Sequence, residues 1–169
     1  MKSLRIALSL LLLTTTTALA QTATQKSFDQ LKALTGSWEG KSADGESIQV
    51  SFRDTAGGSA LMSEILGHGP MNMISMLTMD GPNRIVLTHY CSSGNQPRMA
   101  ATASPDGKTF TFNYFDATNL ASPNVGHMQR VVFTLVDANH HTEDWTFAAG
   151  PGKEMKEFFD LHRNETAQK

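Results

Sequence analysis

From Ser37 to Arg163 the chain repeats one pattern, in which short stretches of alternating apolar and polar side chains each end at a turn signal. Alternation at a period of two gives a strand one apolar and one polar face, and clusters of Gly, Asn, Asp and Pro reverse the chain. Strands are predicted at 37–42, 47–55, 59–67, 71–79, 84–92, 96–104, 108–116, 127–136, 140–148 and 153–163. The breaks carry Asp44-Gly45, Gly57-Gly58, Gly69-Pro70, Asp80-Gly81-Pro82-Asn83, Gly94-Asn95, Pro105-Asp106-Gly107, Asp137-Ala138-Asn139 and Gly150-Pro151-Gly152. Links this short join neighbouring antiparallel strands. The whole is predicted to be an all-β, ten-stranded antiparallel up-and-down barrel. Such a barrel either packs its interior with side chains or encloses one small ligand. One connection is longer, Ala117 to Gly126, and is a candidate lid or portal.

The first residues read as an export signal. Lys2 and Arg5 form a positive start, Ile6 to Leu13 an apolar core too short to span a bilayer, and Ala18-Leu19-Ala20 a cleavage site before Gln21. Residues 1–20 are thus expected to be removed, leaving 21–169 as one soluble domain in a periplasm or outside the cell. With Lys2 and Arg5 gone, twelve basic side chains face sixteen acidic ones, with no basic run, which argues against a nucleic-acid partner. Cys91 is the single cysteine, so no intramolecular disulfide can form. Asn164-Glu165-Thr166 matches a glycosylation sequon.

Gln21 to Gln25 reads as a polar, disordered stretch leading into one short helix. There Ser27 and Gln30 make a capping box, Phe28, Leu31 and Leu34 share a face, and Gly36 is a C-cap. Two turns of helix are unstable alone, so the apolar face is expected to plug one end of the barrel. Period-two reading turns Ile48, Val50 and Phe52 inward, likewise Phe110, Phe112 and Tyr114, and Val131, Phe133 and Leu135. Ile85 and Leu87 share a face with His89 and Cys91, Trp145 and Phe147 with His141 and Glu143, and Phe159 and Leu161 with Glu157 and Arg163.

Gly36-x-Trp38 on the first strand, just after a short helix, together with the late Arg163, resembles the calycin superfamily of lipocalins, fatty-acid-binding proteins and nitrobindin-like barrels. The resemblance implies that Trp38 sits at the closed end with Arg163 packed across its ring, a favourable cation–π pair. Ten strands look more like the fatty-acid-binding and nitrobindin members than the eight-stranded lipocalins. Gly36-x-Trp38-x-Gly40 is closer to nitrobindin, whose further glycine is Ser42 here. The segment Leu87-Thr88-His89-Tyr90-Cys91, followed by Gly94-Asn95-Gln96-Pro97-Arg98-Met99, is similar to bacterial exported proteins of unknown function that share this barrel. Nitrobindin-type barrels bind haem through a late histidine, here His162, but parity turns His162 outward, away from the face of Phe159 and Leu161.

Polar residues on inward faces mark the candidate ligand site: His89, Cys91, Tyr114, Glu143 and Glu157 beside Trp145, with Arg98 and Arg130 near by in strand order. If the last two strands pair around Gly150-Pro151-Gly152, Trp145 lies opposite Glu157 and Glu143 lies one pair further on. Two carboxylates and an arginine in an aromatic cavity can hold a polar or cationic head group, with Phe110, Phe112 and Phe133 against its apolar body. An internal salt-bridge network, or a slip in parity that returns the glutamates to solvent, fits the same residues.

His89 can ligate a metal or haem, exchange protons, or sit satisfied in the core. Paired with Glu143 or Glu157 it would make the chain a small-molecule enzyme. Cys91 reads more simply as a structural thiol, since no CxxC or HExxH spacing accompanies it. Met62, Met71, Met73, Met76, Met79 and Met99, with His68, can bind Cu(I) but suit an irregular core better. His140 and His141 point to opposite faces and make a poor metal pair. No nucleophile elbow, phosphate loop or zinc signature is present, so no catalytic or metal residue is assigned. The expectation is an exported, lipocalin-like binder of a small apolar or amphipathic molecule without a required cofactor. An envelope interaction module, with a filled barrel and an exposed apolar patch, is the remaining alternative.

Overall fold

A computed structural model of the chain describes residues 21–66 and 72–164. The export signal, His68, the Gly69-Pro70 turn, Met71 and most of the sequon lie outside the described residues. Helix α1 (Ala23–Lys32) is followed by β1 (Gly36–Ser42), β2 (Ser47–Thr55), β3 (Ala60–Leu66), β4 (Met73–Met79) and β5 (Ile85–Tyr90). The second half holds β6 (Gln96–Ala103), β7 (Thr109–Thr118), β8 (His127–Asp137), β9 (His140–Ala148) and β10 (Glu154–Arg163). Each strand pairs antiparallel with its neighbours in sequence, and β10 returns to β1 from Trp38↔Arg163 to Ser42↔Phe159. The result is a closed ten-stranded up-and-down barrel, whose closure leaves no unpaired edge.

Inward positions follow the alternation. Ile48, Val50, Phe52, Leu87, Phe110, Phe112, Val131, Phe133 and Leu161 are all buried. Register irregularities interrupt the period at Arg98/Met99, at Met128/Arg130 and at Leu135/Asp137. The second inserts Gln129, so Met128 and Val131 both face inward although an odd number of steps separates them.

The helix starts five residues before the capping-box reading. Thr22 is the N-cap, its hydroxyl accepting from Gln25 N at 3.1 Å, and Ala33, not Gly36, is the C-cap. Ser27 therefore sits inside the helix, and Ala23 to Gln25 are helical, not disordered. Phe28, Leu31 and Leu34 are buried across one end of the barrel. That end is locked by the signature residues. The Arg163 guanidinium lies 4.2 Å from the centre of the Trp38 ring. It donates to Thr35 O at 2.8 Å, Ala33 O at 2.9 Å and Ala138 O at 3.1 Å. Two of those acceptors lie just past the last turn of α1, where carbonyls lack intrahelical donors and a cation is favoured. Trp38 Nε1 donates to Leu34 O at 2.7 Å, tying β1 to the same segment.

Both glycines of the first-strand motif have a physical reason. Gly36 has φ +132°, which side-chain-bearing residues rarely adopt. At Gly40 a β-carbon would stand 1.7 Å from Asp160 O, because the β10 backbone passes through the space a side chain needs.

Candidate functional site

The end opposite α1 is the open one. There a cavity of about 340 Å³ is walled by Ile65, Met73, Met128, Trp145, Phe147 and Phe159, with Cys91, Ser92, Ser93, Lys156 and Glu157 as its polar contributors. It opens between the ends of β3, β4 and β5 and the β9–β10 hairpin. The loop joining β7 to β8 runs along the same end. Asn95 Nδ2 donates to Gly126 O at 2.8 Å, and Asn119 Nδ2 donates to Gly94 O at 2.6 Å, pinning the loop to the β5–β6 turn. Gly126 lies directly against Phe147, since a β-carbon there would meet the ring at 2.8 Å. The position of this loop therefore sets the position of one cavity wall.

Glu157 reaches the cavity through the register anticipated for the last hairpin, opposite Trp145, with Glu143 facing Phe159 one inward pair further on. Among the described residues its Oε1 is buried with no hydrogen-bond partner. A carboxylate oxygen held this way calls for a donor, because an unpaired buried polar atom costs roughly 1–3 kcal/mol, and more when charged.

Below the cavity the interior is a chain of polar and aromatic groups. His89 is fully buried on β5 opposite Ser75 of β4, and its Nδ1 lies 2.9 Å from Ser75 Oγ. Burial pushes its pKa down from 6.5 to about 4, so the ring is neutral near pH 7. Its Nε2 has no partner among the described residues, and its ring centre lies 5.1 Å from that of Trp145. Trp145 Nε1 donates to Glu143 Oε2 at 2.8 Å, and His141 Nε2 lies 3.2 Å from Glu143 Oε1. His141 in turn packs edge-on against Trp38, with ring centres 4.2 Å apart. Glu143 is therefore satisfied within the barrel wall and contributes no group to the cavity.

Of the sequence-predicted site residues, Cys91, Trp145 and Glu157 meet at the cavity, with His89 directly behind Trp145. Cys91 accepts from Ser93 Oγ at 3.0 Å. Tyr114 is half-buried and packs on His127, ring centres 4.7 Å apart, beside the cavity but not lining it. Arg98 stands elsewhere. Its inward neighbours on β6 are Pro97 and Met99, so its own side chain is directed outward, where Nε donates to Asp116 Oδ1 at 2.6 Å. That hydrogen bond with Asp116 raises its pKa further, and its guanidinium lies 5.3 Å from the centre of the Phe115 ring. Nearness in strand order places an arginine beside a site but does not choose its face.

Phe110, Phe112 and Phe133 also take a different part. They are fully buried below the cavity, with Phe112 and Phe133 ring centres 5.6 Å apart, so they fill the barrel and do not line the mouth. Met73, Met128 and Phe147 take their place. Met73 carried the right parity in the sequence, whereas Met128 enters through the bulge and shows no such signal.

Among the described residues no hydrogen bond or ion pair joins His89 to Glu143 or Glu157. His89 is engaged by Ser75, and Glu143 by His141 and Trp145. His162 stands on the outer wall with a 63% exposed side chain, the face its parity implied. Exposed large apolar side chains, among them Tyr90, Phe115, Val136 and Phe158, are spread over β5, β7, β8 and β10.

No family model matches the chain, and no curated protein does. Among solved structures it resembles the crystal structure of Rv2717c from M. tuberculosis, with a TM-score of 0.58 and 15% identity over 82% of this chain and 98% of that one. At that identity the likeness is one of fold, and the fold is a calycin-like, ten-stranded antiparallel barrel.

Proposed function

We propose that this chain is an exported binding protein that holds a small, largely apolar molecule at the mouth of its barrel. Its polar contact would be Glu157. The observation that carries this reading is the cavity itself: an apolar wall of aromatic and methionine side chains around one buried carboxylate oxygen with no partner among the described residues. A volume of about 340 Å³ falls at the small end of ligand-binding pockets. Export rests on the charged start, apolar core and A-x-A site of the first twenty residues.

The head group follows from charge. Arg98 is turned outward and Lys156, the one cation among the described lining residues, is exposed, whereas the Glu157 oxygen is buried, so a cationic or hydrogen-bond-donating head group fits the buried part of the cavity better than a carboxylate does. Calorimetric titration with octylamine and with octanoate tests this. Octylamine should saturate at one molecule per chain, and octanoate should bind at least about tenfold more weakly, a difference of about 1.4 kcal/mol. Failure of both to bind would remove the pocket; equal binding would remove the role of Glu157. Native mass spectrometry of protein purified from its own source would then identify the resident molecule.

A further inference from the structure

We propose that the outer face of β9 and β10 carries a binding site for a borderline divalent transition ion, of the zinc and copper(II) class, built from His140, His162 and Asp160. The site is separate from the barrel mouth and lies near the closed end. Its basis is strand register. His140 of β9 stands directly opposite His162 of β10. The neighbouring pair, Asn139 and Arg163, is joined by Arg163 N donating to Asn139 O at 3.0 Å. Hydrogen-bonded and non-hydrogen-bonded pairs alternate along an antiparallel ladder, so the two histidines occupy a non-hydrogen-bonded pair, where facing side chains come closest.

The side chains confirm that approach. The two imidazoles stack with centres 4.4 Å apart and planes 19° apart. Asp160, two residues before His162, shares their face. Its Oδ1 lies 2.7 Å from His140 Nε2 and 3.7 Å from His162 Nε2. One ligand atom from each of the three falls within 4.8 Å of the others. Small side-chain rotations bring such a trio around one ion at the usual distances of about 2.0–2.2 Å.

Two imidazoles and one carboxylate suit zinc or copper(II) better than calcium or magnesium, which prefer all-oxygen shells. On binding, the proton that His140 Nε2 shares with Asp160 moves to Nδ1 or to solvent, and the ion takes its place. Three protein ligands leave a coordination position for water. Glu39 of β1 stands across from His162 and adds negative charge to the approach. Both histidines must be neutral to ligate, so affinity falls with acid.

Calorimetric titration of the purified chain with zinc chloride and copper(II) chloride, in a weakly coordinating buffer at neutral pH, tests the site. One ion should bind per chain and raise the unfolding temperature. His140→Gln and His162→Gln should each weaken binding by at least about tenfold, since loss of a direct ligand costs no less than an outer-shell change. The substituted side chains lie on the outer wall, so unchanged circular dichroism would confirm that the variants fold. No uptake by the native chain, or uptake by the His140→Gln/His162→Gln double variant equal to native, would overturn the proposal.

Discussion

His89 shows how one buried side chain couples this barrel to pH. In the unfolded chain its imidazole titrates near 6.5, and in the folded barrel near 4. Between those values the unfolded state binds the extra proton, so stability is full above about pH 6.5 and is lost as pH falls toward 4. Between pH 7.5 and pH 5 this group alone should remove about 2 kcal/mol of unfolding free energy. Urea unfolding at the two pH values, with His89→Gln for comparison, measures it: the variant should lose correspondingly less between them. Equal losses would show that His89 is not held neutral. The parity of His89, Glu143 and Glu157 was legible from alternation alone, because a period of two survives wherever no bulge intervenes. Of their partners, Trp145 and His141 lie two residues either side of Glu143 on β9 and share its legible face. Ser75 was not legible, because it is brought to His89 by pairing between β4 and β5, of which sequence spacing carries no direct trace.

At the scale of single elements, turns and strands were legible because each break has its own chemistry, such as Asp44-Gly45 or Pro105-Asp106-Gly107. Helix α1 was only half legible. Its buried face of Phe28, Leu31 and Leu34 has helical spacing, but both Thr22 and Ser27 are good N-cap residues, and the choice between them depends on packing. Pairing of His140 with His162 follows from the same last-hairpin register that sets Trp145 opposite Glu157, although reading each strand separately does not reach it. The closure of β1 on β10 depends most sharply on Gly40. Gly40→Ala should force the two backbones apart and cost about 3 kcal/mol or more, within the range for overpacking at a site that cannot yield. Thermal or urea unfolding reads this directly. A change below about 0.5 kcal/mol would mean that β10 does not approach β1 as described.

Over the whole molecule, the barrel divides into a sealed part and an open part. Helix α1, Trp38 and Arg163 close one end, aromatic side chains fill the middle, and the cavity occupies the other end. Hollow and filled barrels share the same alternating pattern, so the sequence alone left both open, and side-chain volumes decide how far the filling rises. The two tryptophans report on the two parts separately, Trp38 at the sealed end and Trp145 in the cavity wall. Intrinsic fluorescence during titration with octylamine is therefore the most direct test of where a guest is held. Native protein should show a saturable change in emission at one molecule per chain, and Trp145→Phe protein, left with Trp38 alone, should show almost none. A full response from the Trp145→Phe protein, or no saturable response from the native protein, would contradict a binding site at the mouth.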